Sequence, residues 1–152
     1  MHHPCRPVAR ASLTFWLLVA LLALQINAPP VSARSELSIA VAQLVNGTRE
    51  DRGLDRLDVR GHLNAVALEQ AQRMARRGVL FHNPNLADQM IGNWRWVGEN
   101  VGFGPSVSSI NTALVNSPGH YANMVNPDFT HVGIGVVVTA DGRVWVSQVF
   151  GG

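Results

Sequence analysis

The sequence predicts an α+β protein in which helices pack on a small antiparallel sheet. Helical spacing of apolar residues dominates the middle of the chain, whereas the C-terminal part alternates as a half-buried strand does. A turn signal at residues 140–143 separates the two most β-prone segments, residues 130–139 and 144–150. Helices first and a hairpin last are the order of an α+β fold rather than of alternating βαβ units.

The N-terminal residues have the form of a secretory signal peptide. Two arginines precede an apolar run, residues 11–26, and small residues close the segment at Ala33. We therefore expect residues 1–33 to be removed and residues 34–152 to form an exported domain, secreted or held in the cell envelope. An uncleaved membrane anchor is the alternative, because the apolar run approaches the length that spans a bilayer.

Composition excludes two classes of function for the exported domain. Its ten acidic residues balance its ten arginines, because two of the chain's twelve basic residues lie in the signal peptide. No arginine cluster with interleaved aromatic residues is present, so nucleic-acid binding is not expected. The single cysteine, Cys5, also lies in the signal peptide, so the domain has no disulfide and no thiolate. We expect no membrane span after signal cleavage.

Two amphipathic helices open the exported domain. The first starts at a Ser35 cap, repeats apolar residues at helical spacing and ends at Gly47. The second, residues 62–77, has an apolar stripe along one side, and Gly78 supplies its C-terminal stop. A polar connection with anchoring leucines separates them. Each helix is therefore expected to bury one face against the sheet.

The middle of the chain places polar residues at the ends of predicted elements. We expect one helical turn within residues 86–91, a strand at residues 94–97 and a third helix at residues 107–116. His82 precedes the helical turn, and Glu99 follows the strand in a glycine-rich segment. That segment has neither Walker nor Rossmann spacing, and the serines of the domain lack the G-x-S-x-G setting, so no phosphate site or nucleophile is predicted.

Three ionisable side chains are the candidates for chemistry: His82, Glu99 and His120. Each lies beside a backbone breaker near the end of an element, where residues from distant segments converge. Two imidazoles and a carboxylate suit a divalent metal such as Zn²⁺, or an acid–base group in which Glu99 orients a histidine. Each residue also has a structural interpretation, since it can cap or brace its own turn. His62 and His131 are expected to face solvent.

An ordered set of motifs resembles the CAP superfamily, also called SCP-like extracellular domains. This group takes in cysteine-rich secretory proteins, antigen 5 and plant pathogenesis-related proteins. The matching motifs are Asn46 with Arg49, Gly53-Leu54 with Leu57, Met74-Ala75, His82, Gly98-Glu99-Asn100-Val101, Ser117-Pro118-Gly119-His120, Asn126-Pro127-Asp128-Phe129-Thr130 and Gly133-Ile134-Gly135. They cover residues 36–150 in the family's order, and the chain looks most like the short, disulfide-free bacterial branch.

The resemblance implies an α-β-α sandwich, with helices on both faces of a short antiparallel sheet. It also implies a cleft lined by a His-Glu-Glu-His tetrad, which binds divalent metal in several members. His82, Glu99 and His120 match three of the four positions. The second glutamate has no counterpart here, and Asn111 or Asn116 is the candidate replacement, as a neutral ligand or hydrogen-bond donor.

Three functions are compatible with these features. The first is a secreted binding module whose cleft holds a lipid, sterol or peptide, with His82 and His120 as metal ligands if Zn²⁺ or another divalent ion binds. Asn100 and Tyr121 are expected to support that cleft. The second is a cell-envelope domain that binds a protein partner. The third, a metal-dependent hydrolase, ranks last because the second carboxylate is lost and the family has no settled common activity.

Overall fold

The computed structural model describes residues 31–152, with side chains from Arg34 onward, so the signal peptide predicted at residues 1–33 lies outside the described side chains. Over this part the chain forms five helices and four strands. In chain order they are α1 (Val31–Glu50), β1 (Asp58–Val59), α2 (Gly61–Arg77), α3 (Leu86–Gln89), β2 (Val97–Gly104), α4 (Val107–Val115), α5 (Pro118–Met124), β3 (His131–Val138) and β4 (Val144–Gly151). No helix in this described part is long and apolar enough to cross a membrane.

The four strands form one sheet in the order β1-β3-β4-β2. β4 pairs antiparallel with both β3 and β2, which confirms the hairpin predicted around residues 140–143. β1 departs from the predicted antiparallel arrangement, because Asp58 and Val59 pair in parallel with His131 and Val132. Most of the domain separates these two segments, so no tight turn forces them to run antiparallel. β1 is also short, so β3 has no neighbouring strand beyond Val132 on that side among the described residues.

Helices cover both faces of the sheet. On one face α2 packs against β4, where Leu63, Ala67 and Val149 belong to one buried cluster. On the other face α1, α4 and α5 pack against β3 and β4 in a larger cluster that includes Val45 and Phe150. The arrangement is therefore the α-β-α sandwich that the resemblance implied, with a mixed rather than purely antiparallel sheet.

α2 approaches the sheet most closely over two glycines of β3. A Cβ atom built on Gly133 would lie 2.2 Å from the carbonyl carbon of Leu63, and one on Gly135 would lie 2.2 Å from the carbonyl carbon and oxygen of Ala67. A glycine within a strand marks such a close approach of another backbone. The Val-Gly alternation of β3 thus places side chains under α1 and bare backbone under α2.

The predicted bounds of two elements, α1 and β2, are wrong. α1 begins at Val31 rather than at Ser35, and it continues past Gly47 to Glu50. A glycine inside a helix costs only about 1 kcal/mol relative to alanine, and the buried residues in the last turn of α1 outweigh that cost. The strand expected at residues 94–97 lies instead at Val97–Gly104. The glycines of this segment predict a loop. The segment nevertheless pairs with β4 along its whole length and is therefore a strand.

Asn46, which begins a glycosylation sequon, anchors the connection after α1 instead. The residue is 4% exposed. Its Nδ2 donates to the carbonyl of Leu57 at 3.1 Å, and its Oδ1 accepts from the backbone N–H of Leu57 at 2.8 Å. A glycan on Nδ2 has no room at this buried position, so this side chain serves the fold.

Candidate functional site

His82 and Glu99 meet at one edge of the sheet. His82 lies in the segment after α2, and Glu99 lies in β2, which pairs only with β4 among the described strands. The Nδ1 atom of His82 lies 2.9 Å from Oε2 of Glu99. Because an ionised carboxylate can only accept, His82 donates to it through Nδ1–H, which leaves Nε2 outside this hydrogen bond.

Glu99 is buried and hydrogen-bonded through both carboxylate oxygens. Its side chain is 4% exposed, whereas that of His82 is 61% exposed. Oε2 also accepts from the backbone N–H of Asn83 at 2.9 Å, and Oε1 accepts from the hydroxyl of Ser147 at 3.2 Å. A carboxylate held in this way fixes the orientation of the imidazole that it contacts. Glu99 is therefore a positioning residue for the exposed ring of His82.

His120 lies in α5 near the same edge. Its Nδ1 is 2.8 Å from the hydroxyl oxygen of Ser117, and its backbone carbonyl accepts from Nδ2 of Asn100 at 3.0 Å. Burial lowers the pKa of His120 below its usual value, and the positive charge of a protonated His82 lowers it further. The two imidazoles are therefore electrostatic neighbours, although no hydrogen bond joins them within residues 34–152.

The side-chain amides of three residues form a hydrogen-bond network next to the histidine–glutamate pair. Asn100 donates through Nδ2 to Oε1 of Gln148 at 3.0 Å. Asn123 donates through Nδ2 to Oδ1 of Asn100 at 2.9 Å and to the backbone carbonyl of Glu99 at 3.2 Å. Sequence reasoning missed Asn123, Gln148 and Ser147. A signal was available for the last two, because they are adjacent polar residues inside an otherwise apolar strand.

The remaining candidates do not join the histidine–glutamate pair. Asn111 is half-buried in α4, and its Oδ1 is buried without a hydrogen-bond partner among the described residues. Asn116 caps the C-terminal end of α4 and is exposed. The ring of Tyr121 lies under the guanidinium of Arg52, at 5.3 Å from the ring centroid. No hydrogen bond links these three side chains to the pair in the described part of the chain.

The donor set is smaller than that of a catalytic metal centre. Within residues 34–152, no group of three or more His, Cys, Asp or Glu side chains is placed to hold a metal ion. His82 and His120 each engage Nδ1 and leave Nε2 without a hydrogen-bond partner in this range. Two imidazoles fall one ligand short of the three protein ligands of a catalytic zinc site. The residues therefore do not fit a catalytic metal, and no reaction step follows from them.

The other two described histidines, predicted to face solvent, are half-buried, and each ring contacts Trp94 on one side. The ring centroid of Trp94 lies 5.8 Å from that of His62 and 5.3 Å from that of His131. His131 Nε2 lies 2.7 Å from Nη2 of Arg60. His62 Nε2 is buried without a hydrogen-bond partner in the described part. Periodicity could not show this contact, because Trp94 comes from a loop distant in sequence.

Acidification is expected to destabilise the fold through His120 and His131. Burial is the largest cause that lowers the pKa of each below the usual 6.5, and the Arg60 guanidinium lowers that of His131 further. The unfolded chain therefore binds protons more readily, so the free energy of unfolding declines as the pH falls below about 6.5. We expect the thermal midpoint to fall between about pH 7.5 and 5, and to fall less in His131→Asn. An identical decline in that variant would contradict the assignment.

A second feature, an apolar groove, lies at the opposite edge of the sheet. Its walls are α1 and α2, its floor is the part of β3 that β1 leaves uncovered, and its volume is about 660 Å³. The apolar side chains that line it are Ile39, Ala42, Val59, Ala65, Leu68, Ile134 and Val136. His82, Glu99 and His120 are not among its lining residues. The molecule therefore has a polar site at β2 and a separate apolar groove at β3.

Comparison with known proteins identifies relatives of this architecture. Residues 42–150 match the family described as the Cysteine-rich secretory protein family, CAP. The uncharacterised protein YkwD of Bacillus subtilis (strain 168) is 31% identical over 119 residues, which cover 73% of this chain and 46% of YkwD. The chain thus spans less than half the length of that relative.

Solved structures show the same fold. An outer surface protein of Borrelia burgdorferi superposes with a TM-score of 0.70 at 18% identity, covering 82% of this chain and 97% of that one. An extracellular protein with an SCP domain from Bacillus anthracis superposes with a TM-score of 0.67 at 22% identity, covering 77% and 40%. With the family match over most of the domain, the ordered motifs and this shared sandwich, the chain belongs to the CAP family of cysteine-rich secretory proteins.

Proposed function

We propose that this protein is an extracellular binding domain that holds an apolar ligand in the groove between α1 and α2. The observation that carries the proposal is the groove itself, a cavity of about 660 Å³ with mainly apolar walls. Ligand sites are typically concave, apolar and of this size, with a few polar groups at fixed places. The groove thus fits the lipid, sterol or peptide expected from the sequence better than the polar site at β2 does.

The polar site at β2 supports a structural rather than an enzymatic role. Glu99 is buried and accepts from three protein donors, so it is poorly placed to take a proton from a ligand as a general base. The hydroxyl of Ser147 is buried and donates to that carboxylate. The imidazole of His82 is exposed. Binding of a protein partner in the cell envelope through that ring is the second candidate role.

Export is part of the proposal. The family and the extracellular SCP-domain protein of Bacillus anthracis support a location outside the cytoplasm for this chain. We infer that residues 1–33 act as the signal peptide and that cleavage after Ala33 leaves Arg34 as the first residue. The mass of the exported chain tests this directly, because retention of the apolar run as an anchor gives the full-length mass.

Blocking the groove is expected to abolish ligand binding without unfolding the domain. Ala65 is an exposed residue of α2 that lines the groove, so Ala65→Trp adds a ring to the cavity and not to the core. We expect the neutral fluorescent probe N-phenyl-1-naphthylamine to bind the purified protein at a saturable site, and at least about tenfold more weakly in Ala65→Trp. Ala113→Trp is the matched control, since Ala113 is exposed on α4 and does not line the groove. Equal binding to both variants, or no saturable binding to the native protein, contradicts the proposal.

Nε2 of His82 and of His120 are the atoms that we expect a divalent metal to bind. We propose this as a weak two-imidazole site in which Glu99 acts through the ring of His82, as carboxylates behind zinc-bound histidines do. Calorimetric titration with Zn²⁺ should then lose its signal in His82→Ala and in His120→Ala, and weaken about tenfold in Glu99→Gln. His131→Ala is the control, because that ring lies against Trp94. Binding that survives His82→Ala would place the metal elsewhere.

A further inference from the structure

A second cavity, smaller and more polar than the groove, lies between the connection after α1 and the segment before β3. Its volume is about 370 Å³, and its lining residues belong to segments 53–58 and 127–130 and to Arg49. The backbone N–H of Asp58 joins the two segments by donating to the carbonyl of Thr130 at 3.0 Å. Arg49 donates to one carbonyl in each segment, at 2.7 and 3.2 Å. The walls are therefore held together, and the cavity exists before any ligand binds.

Arg49 contributes to this cavity a buried donor that the protein does not use. The residue is 2% exposed. A guanidinium group has five N–H donors, two of them on Nη2. Nη2 of Arg49 makes one hydrogen bond, to the carbonyl of Phe129, so its second N–H has no acceptor among the described residues. A buried donor without an acceptor is costly, and an oxygen atom of a ligand in the cavity removes that cost.

Two aspartates supply unused acceptors at the exposed side of the cavity. Asp55 and Asp58 line it, and both side chains are exposed. Within residues 34–152, neither carboxylate accepts a hydrogen bond or forms an ion pair. Arg56 also lines the cavity and pairs with Glu50 through Nη1. The two aspartates and two arginines of the lining balance in formal charge, so their summed field favours neither an anion nor a cation.

Unused acceptors beside an unused donor are complementary to hydroxyl groups, because each hydroxyl both donates and accepts. The lining also has an apolar part, made by Leu54, Pro127 and Phe129. Small-molecule sites combine such apolar surface with a few polar groups at fixed places, and their volumes begin at roughly 300 Å³. A sugar ring carries hydroxyl groups around its edge and C–H groups on its faces, so it presents both kinds of surface.

We propose that this cavity is a second ligand site, which binds a neutral saccharide unit. The carboxylates of Asp55 and Asp58 accept hydrogen bonds from its hydroxyl groups, and the second N–H of Arg49 Nη2 donates to one of its oxygens. A C–H face of the ring packs on Leu54 and Pro127. The inference does not depend on the apolar ligand of the groove, because it rests on a different cavity and on different contacts.

Titration with sugars of matched ring size, followed by saturation-transfer difference NMR, tests the ligand class. We expect at least one of D-glucose, D-galactose and N-acetyl-D-glucosamine to bind saturably at millimolar concentrations. Glucosamine, which carries an ammonium group, and glucuronate, which carries a carboxylate, should bind severalfold more weakly than that sugar, because each meets like charges in the cavity. Tighter binding of glucosamine shows a cation site, and tighter binding of glucuronate shows an anion site. Either result overturns the inference, as does the absence of saturable binding by all three neutral sugars.

Variants of the two aspartates assign the sugar to this cavity. We expect Asp55→Ala and Asp58→Ala each to weaken its binding at least about fivefold, with an unchanged thermal midpoint. Asp51→Ala is the matched control, because Asp51 is a nearby exposed aspartate that does not line the cavity. Equal sugar binding by all three variants overturns the assignment. Arg56 is left intact, because it lines the groove as well.

The fluorescence of N-phenyl-1-naphthylamine separates this site from the groove. We expect the sugar to leave the fluorescence of the bound probe unchanged, because the probe is expected in the groove. A sugar that displaces the probe binds in the groove and overturns the second site. A protein that binds the sugar but not the probe contradicts the proposed function alone, so failures of the two proposals are distinguishable.

Discussion

Gly135→Ala is expected to destabilise the protein by about 3 kcal/mol or more, a large fraction of the roughly 5–15 kcal/mol typical of a domain. The added Cβ would lie 2.2 Å from the backbone carbonyl of Ala67 and 2.3 Å from the N–H nitrogen of Leu68. Backbone atoms in the middle of α2 cannot rotate away as a side chain does. The whole helix must therefore move off the sheet, which opens the buried cluster around Val149. Urea unfolding followed by circular dichroism measures the loss.

Gly47→Ala is the matched control for that methyl group. Gly47 lies inside α1, and a Cβ atom built there meets nothing within 4 Å. Alanine is favoured over glycine in a helix interior, so this variant is expected to gain about 0.5–1 kcal/mol. The same added methyl group is thus expected to stabilise the protein at Gly47 and to destabilise it at Gly135. A Gly135→Ala protein as stable as the native one would show that α2 does not pack this closely on β3.

The sequence predicted the fold where a local pattern and a tertiary contact agree. α2 was predicted within one residue, because its apolar stripe faces β4 and Gly78 has the left-handed conformation (φ 66°) that ends it. α1 and β2 were predicted poorly for the opposite reason. Gly47 and the glycines of β2 signal breaks, and only long-range contacts to the rest of the sandwich override them.

The ionisable residues of the candidate site could be predicted from the sequence. His82 and Glu99 stand out beside backbone breakers, and the structure joins them at 2.9 Å. The polar pair Ser147 and Gln148 in an apolar strand was a signal, but its contact with Glu99 could not be predicted, because Asn123 and Ser147 become neighbours of Glu99 only through the pairing of β2 with β4 and the packing of α5. No local pattern in the sequence predicts these contacts with Glu99.

No pattern in the sequence predicted the apolar groove, because the groove forms where β3 has no neighbouring strand. β1 pairs with β3 over two residues only, and the rest of that edge becomes the floor between α1 and α2. Apolar residues such as Ile39 and Leu68 read as ordinary helix positions in the sequence. Their place beside an uncovered strand, together with Arg34 and Arg56, appears only in the assembled fold. The sequence therefore directed attention to the histidine site, whereas the structure places an apolar cavity at the opposite edge of the sheet.

Arg49→Met is expected to cost about 3–5 kcal/mol, since it removes a buried charge and leaves its acceptors unpaired. Arg49 is 2% exposed. It donates to four backbone carbonyls, those of Asp55 at 2.7 Å, Met124 at 3.0 Å, Asn126 at 2.8 Å and Phe129 at 3.2 Å. These carbonyls belong to the connection after α1, the end of α5 and the approach to β3. One side chain therefore ties three segments of the described chain together.

Arg49→Lys separates the charge from the geometry. An ammonium keeps the charge but has three donors on one atom, so it cannot reach four carbonyls spread around a planar fork. We expect its free energy of unfolding to lie between those of Arg49→Met and the native protein. Arg52→Met is the control, because Arg52 is exposed and its side chain lies over the ring of Tyr121, so its effect should stay within about 0.5 kcal/mol. If the free energy of unfolding of Arg49→Met is no lower than that of Arg52→Met, water satisfies the four carbonyls in place of the guanidinium group. The end of α5, and His120 with it, would then be held by packing of Met124 rather than by this arginine.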